Sequence, residues 1–406
     1  MLTMDGRLLF LGRSIRMFAY GFLSVILVIY LTELHLTNSQ IGLVLSLTLI
    51  GDVGISLWLT VVADRVGRKK MLMLGAVLIV LAGILFAVTS NFYLLIVAAT
   101  IGVISPSGNE IGPFLAIEQA SLSQVSPAES RTKIFAWYNL AGSCATALGA
   151  FSSGGVIQCL KGMGFNLLFG CQVIVAAYAF LGIFICLVFL FLSSDIEVPK
   201  ITQPLKPGLN MGSLLGLKNS AGIVFSLASL FALDAFGGGF VMQSVIAYWF
   251  HLRFNMEPVL LGSMLGAANI LAGFSALIAL KIAARIGLIK TMVFTHIPSN
   301  ILLILVPFMP NVYWAVAVLL LRFSISQMDV PTRQAYTMAV VKPEERSAAS
   351  GITNVARTLG ASVSPLFIAP LLINTSVLGL CFVLAGGLKI IYDIILYQAF
   401  KSSEIR

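Results

Sequence analysis

The chain has 406 residues, 59% of them hydrophobic and 10% charged, with a net charge of +9. Soluble domains run at about 45–50% apolar and about 25% charged residues. That leaves too little polar surface here for a water-soluble enzyme, a nucleic-acid-binding domain or a disordered scaffold. A membrane helix needs about 20 mostly apolar residues. Such stretches are expected at 10–32, 41–62, 71–90, 93–124, 133–157, 165–192, 221–250, 258–281, 288–308, 311–341, 347–373 and 376–400. They make an all-α membrane protein of twelve helices in two sets of six, with the fourth and tenth long enough to run beyond the bilayer. The first stretch is too long for a cleavable signal and flows into a second span. The runs are continuous rather than alternating, which excludes a membrane β-barrel.

Residues 193–220 are rich in proline, glycine and mixed charge and read as a cytoplasmic linker. The expected organisation is a bundle at 1–192, this linker, and a second bundle at 221–406. Lysine and arginine mark the cytoplasmic ends of spans. Of 25 such residues, 19 fall at one set of ends, among them Arg13, Arg16, Arg65, Arg68, Lys70 and Arg131. Only Lys161 and Arg253 fall at the opposite ends, so both termini are expected in the cytoplasm. Arg322, Arg333, Arg357 and Lys389 lie within spans.

The halves repeat. Ala63, Arg65, Gly67 and Lys70 match Ala283, Arg285, Gly287 and Lys290 at a constant offset of 220. Glu118-Gln119-Ala120 matches Arg333-Gln334-Ala335, the PAESR segment at Pro127–Arg131 is echoed by PEER at Pro343–Arg346, and His35 and His251 fall at matching outer ends. Six-helix halves related in this way suggest a transporter with its site at their interface.

The segment DRVGRKK at Asp64–Lys70 resembles the loop signature of the major facilitator superfamily, Gly-x-x-x-Asp-Arg-x-Gly-Arg-Arg/Lys, between the second and third spans where that family has it. Thr60 replaces the first glycine. The weak copy between spans eight and nine fits as well. The resemblance implies two pseudo-symmetric bundles that alternate access to a central site. It also implies a cytoplasmic gate built from Asp64, Arg65, Arg68, Glu129, Arg131, Glu345 and Arg346. On physical grounds Gly67 allows a tight turn, and Asp64 can meet a neighbouring helix N-terminus, worth about 0.3–1 kcal/mol. The bland alternative is a solvated positive-inside loop.

Ten ionisable residues fall within spans: Asp52, Glu110, Glu118, Asp234, Arg322, Asp329, Arg333, Arg357, Lys389 and Asp393. Each costs roughly 2.5–3.5 kcal/mol at a helix centre, so they must be paired, hydrated or near the interface. Asp52, Glu110 and Asp234 sit near the middles of their spans and are the expected proton carriers; permanent pairing with arginine is the rival reading. Glu110 lies in SPSGNEIGP, Ser105–Pro113, whose prolines and glycine imply a loosened helix with freed carbonyls and Asn109 facing a cavity. Arg322, Gln327, Asp329 and Arg333 form a polar stripe on span ten. Its arginines suit a substrate carboxylate or phosphate. Tyr20, Tyr138 and Arg357 complete the expected substrate contacts. Glu118 and Arg333, equivalent in the repeat and opposite in charge, are expected to bridge the halves. Lys389 and Asp393, four apart, are expected to pair with each other.

GAFSSGG at Gly149–Gly155 only faintly resembles an antiporter motif; such small residues usually allow close helix packing. The five cysteines have no metal-like spacing. There is no phosphate-binding loop and no zinc-protease motif. His296 is expected to be structural. The reading is a monomeric secondary transporter, not an enzyme, needing no cofactor, metal or nucleic acid. Its partners are a small anionic or zwitterionic organic solute, protons and the lipid bilayer. A plasma membrane is expected, and the compact loops suit a bacterial inner membrane. The rivals are a multidrug or lipid antiporter of the same fold and, further off, an intramembrane enzyme or receptor.

Overall fold

The computed structural model describes residues 3–108, 114–126, 131–197, 220–342 and 345–401, and among them it is helical with no strand. The helices are α1 Met4–Ser24, α2 Leu27–Glu33, α3 Asn38–Val66, α4 Arg68–Val88, α5 Phe92–Ile101, α6 Phe114–Gln124, α7 Arg131–Gly162 and α8 Leu167–Leu190. They continue with α9 Ala221–Gly239, α10 Gln243–Phe254, α11 Pro258–Ile286, α12 Leu288–Leu305, α13 Val312–Ser326, α14 Asp329–Val340, α15 Arg346–Ile368 and α16 Leu380–Phe400. Their starts follow local chemistry. Thr3 caps α1, Asn91 caps α5, Asn166 caps α8 and Asn311 caps α13, each side-chain oxygen taking an otherwise unpaired N–H. Thr37 and Gln40 form a capping box on α3.

Nine helical segments among the described residues are long and apolar enough to cross a membrane, and α1 with α2, bent by 47°, makes a tenth. The fourth and tenth expected spans are the exceptions, because each is broken. Between α5 and α6 lie Gly102, Pro106 and Gly108, the last at φ +68°. Between α13 and α14 the chain breaks at Gln327 and Met328, and Pro331 sits in the first turn of α14, where its missing N–H is not needed. The seventh span also breaks, between Gly239 and Gln243.

The repeat is visible in the backbone. Gly67 and Gly287 both take positive φ, +121° and +92°, and each hands one long helix to the next. Only glycine does this without strain.

Two compact units divide the chain, but not at the linker. The first comprises residues 1–201 and 242–270, and the second comprises 202–241 and 271–406. In the first, α1 lies against α7 so closely that a Cβ on Gly21 would collide with the Thr146 carbonyl. α10 and the first half of α11 also belong to this unit, and Gly154 of α7 abuts the backbone at Pro258. The serine- and glycine-rich stretch of α7 therefore serves close packing. In the second unit α9 lies on α15, with Gly360 against the Ala232 carbonyl. Its core includes Leu227, Phe231, Met292, Tyr336, Tyr392 and Leu396.

Candidate functional site

In the first unit, α1 carries two buried arginines. Arg16 makes a bidentate pair with Glu118 of α6, Nη1 to Oε1 at 2.7 Å and Nη2 to Oε2 at 2.8 Å, with both side chains fully buried. The Tyr138 hydroxyl of α7 also donates to Glu118 Oε2. Arg13 donates to Asn139 Oδ1 at 3.2 Å and lies over the Tyr138 ring at 4.1 Å. Charge-assisted, two-pronged pairs of this kind are strong and fix geometry. Arg13 and Arg16 thus belong to the buried interior rather than only to the charged span ends at which they were counted. Both fall inside the expected first span, 10–32, and inside α1. The signal was present in Glu118, because a buried carboxylate requires a cation.

At the arginine-rich end of the same unit, the chain beyond α8 folds back onto α4. Glu197 accepts from the backbone N–H groups of Arg68 at 2.7 Å and Lys69 at 3.2 Å. It places a carboxylate at the N-terminus of α4, where negative charge is favoured. Arg68 itself donates to Gln124 Oε1 at 2.8 Å and to the Ile196 carbonyl at 3.2 Å. In the second unit the buried Glu345 accepts from the Ser220 N–H at 3.0 Å, just before α9. Asn109, Glu110 and Glu129 lie outside the described residues, as do the side chains of Asp64, Arg65, Arg131 and Arg346.

The second unit holds a larger cluster centred on Asp234 of α9. Lys389 Nζ lies 2.6 Å from Oδ1, and Arg357 and Arg333 reach Oδ2 at 3.2 Å and 3.3 Å. Arg333 also pairs with Asp329 at 2.7 Å, one turn away on α14. His296 of α12 places Nδ1 2.9 Å from Asp393 Oδ1 and Nε2 3.9 Å from Asp234 Oδ1. Asn300 donates to the other Asp393 oxygen at 3.2 Å. Arg322 of α13 is 9% exposed, yet it makes no hydrogen bond or ion pair with any described residue, and its Nε has no partner. The described cluster therefore counts four cations, Arg322, Arg333, Arg357 and Lys389, against three carboxylates, Asp234, Asp329 and Asp393.

Several expected contacts are replaced. Lys389 and Asp393 share a face of α16 but turn to different partners, Asp234 and His296, because each finds an opposite charge on a neighbouring helix. Of the expected Glu118–Arg333 pair, each member has partners within its own unit, Glu118 in Arg16 and Tyr138, and Arg333 in Asp329 and Asp234. His296 stands between two carboxylates. Asp52 is buried on α3 and accepts from Ser56 at 3.1 Å. Tyr20 is buried on α1, Gln327 is half-buried at the α13 break, and its N–H donates to Ser275 Oγ at 3.3 Å. Freed carbonyls in the α5–α6 break do not all face a cavity. Val103 O accepts from the Tyr178 hydroxyl, and Pro106 O accepts from the Ser244 N–H at 3.2 Å.

Buried charge on several helices, three broken spans and a repeated glycine turn set this fold apart from a plain helical bundle. The family model of the Major Facilitator Superfamily matches residues 9–365. The chain belongs to this superfamily. An uncharacterized membrane protein of Saccharomyces cerevisiae is 31% identical over 430 residues, covering 99% of this chain and 95% of its own. Among solved superfamily structures, the nucleoside transporter NupG aligns with a TM-score of 0.73 at 14% identity, over 98% of this chain and 99% of its own. The D-xylose-proton symporter aligns with a TM-score of 0.72 at 14% identity, over 97% of each chain. At these identities the structural likeness is one of fold. Membership of the superfamily, with its many apolar helices, makes this chain a multi-pass membrane protein of the superfamily's transport type.

Proposed function

We propose that this superfamily member is a proton-coupled carrier of a small organic anion, operating by alternating access. The observation that carries the reading is Arg322, a guanidinium nine-tenths buried with no hydrogen-bond or ion-pair partner among the described residues. A buried cation without a partner is expensive, and an anionic solute would supply the missing charge. Arg357, 30% exposed, and Arg333 would share the solute, because guanidinium groups grip carboxylates in two-pronged fashion. Asp329 would orient Arg333, and Gln327 and Tyr20 would line the path. Proton coupling is compatible with the fold, since the D-xylose-proton symporter shares it. The excess of lysine and arginine at one set of span ends would put both termini in the cytoplasm. A relative in Saccharomyces cerevisiae gives no support to the bacterial inner membrane suggested by the compact loops.

Uptake into proteoliposomes with an imposed pH gradient tests this reading. Labelled lactate, succinate, citrate and glutamate would be compared with neutral sugars and lipophilic cations. Accumulation of at least one anion, raised by the gradient and lost at least tenfold in Arg322→Gln, is the expected result. Transport of lipophilic cations alone would turn the assignment to the drug-exporter reading. Anion uptake indifferent to the gradient would remove proton coupling.

A further inference from the structure

We infer that the coupling proton is carried by His296, held between Asp393 and Asp234, and not by Asp234 itself. The inference rests on the proposed proton coupling and names the residue that performs it.

Asp234 is fully engaged. Lys389, Arg357 and Arg333 all lie within 3.3 Å of its two oxygens. A proton on Asp234 would weaken three charge-assisted contacts together. His296 has the opposite situation. A neutral imidazole offers one N–H, and an imidazolium offers two. With Nδ1 donating to Asp393 at 2.9 Å, Nε2 is left to face Asp234 Oδ1 at 3.9 Å. A proton from water added at Nε2 places a positive charge and a second N–H toward Asp234, 3.9 Å away, while Nδ1 keeps its bond to Asp393; its return to water on the other side restores the starting state. No other bond is made or broken.

The groups that meet the ring are Asp393 and Tyr392 of α16 and Asp234 of α9. Behind Asp234 stand Lys389 of α16, Arg357 of α15 and Arg333 of α14, the last paired with Asp329. Behind Asp393 stands Asn300 of α12 itself. Lys389 and His296 address the same oxygen, Oδ1, while the arginines address Oδ2. A solute anion that draws Arg333 and Arg357 away uncovers Oδ2. The added N–H of protonated His296 then compensates Asp234. Anion and proton bind more tightly together than apart, which makes the carrier a symporter.

His296 is one of three histidines, so His35→Gln with His251→Gln leaves its ring as the sole histidine signal. Nitrogen NMR of that protein in nanodiscs, from pH 5 to 8.5, is expected to show the ring gaining a proton within the range, with a midpoint that moves in Asp393→Asn. A ring held in one state across the range overturns the inference. In pyranine-loaded proteoliposomes given the lactate, succinate, citrate and glutamate mixture, His296→Gln is expected to cut proton entry at least tenfold. Equal proton entry in wild type and His296→Gln rejects His296 alone. No proton entry in wild type, with a titrating ring, rejects the coupling reading and this inference with it.

Discussion

At the scale of single residues, the second unit turns on one carboxylate. Asp234 is 3% exposed and joins helices α9, α14, α15 and α16 through Arg333, Arg357 and Lys389. Removing one member of a buried pair strands the rest at a cost of about 3–5 kcal/mol, whereas replacing both partners by apolar groups can be neutral. Asp234→Asn should therefore lower the thermal unfolding midpoint in detergent clearly, and Asp234→Leu with Lys389→Met should lie closer to wild type than Asp234→Asn. A double variant less stable than Asp234→Asn would mean that Lys389 is held by something other than this pair. The acidic and basic residues of span ten were legible in the sequence because charge in an apolar run stands out. His296 was not, since a lone histidine carries no spacing signal and its two carboxylates arrive from other helices. The pairing of Lys389 was misread for a related reason. Helical spacing shows which residues share a face, but not that a better partner lies across the groove.

At the scale of helices, each unit is seamed by glycine, and each carries an arginine–carboxylate pair of opposite sense. Arg16 on α1 meets Glu118 on α6, while Asp234 on α9 meets Arg333 on α14. Glu118 and Arg333 correspond in the repeat, Arg16 and Asp234 each lie on the first helix of a half, and the signs are exchanged, so each unit holds its own bridge. The seams make a sharp prediction. Gly360→Val places a side chain into the Ala232 carbonyl and should prevent recovery of monodisperse protein. Gly351→Ala, on the same helix with nothing within 4 Å, should be neutral or stabilising by up to about 1 kcal/mol through helix propensity alone. Similar losses in both would mean that helix α15 is intolerant in general rather than tight at one place. The helical class and the order of the apolar runs were legible, and nine of the expected twelve spans, or ten with α1 and α2 together, pass as membrane-crossing among the described residues. The breaks at Ile101–Phe114 and Ser326–Asp329 were legible only as unusual length and polar content, because hydropathy does not register a lost backbone turn.

At the scale of the whole molecule, the net charge of +9 is a statement about sidedness. Lys161 pairs with Glu257 at 2.7 Å, and both are well exposed at the end opposite to Arg68 and Lys69. Cysteine placed at position 161, in a background without the five native cysteines, should react with a membrane-impermeant maleimide from outside intact cells. Cysteine at position 70 should react only after the membrane is opened. The reverse pattern would invert the proposed orientation. The division into units was only partly legible. The proline-rich linker, expected to separate two bundles, lies almost wholly outside the described residues, and residues 242–270 cluster with the first unit. The turn through Gly237–Gly239 and the break before Gln243 let one span contribute to both units, which composition cannot reveal.

Tyr178 fastens the broken fourth span by donating its hydroxyl to the carbonyl of Val103, two residues past the end of α5. Within a bilayer an open carbonyl has few partners other than water. Tyr178→Phe removes the fastening with almost no change of shape. Amide hydrogens at the end of α5 should then exchange with deuterium faster than in wild type, while those in the middle of α8 stay protected. One phenol thus sets how often the fourth span loosens, and that opening frequency places an upper limit on any transport step that requires the span to bend.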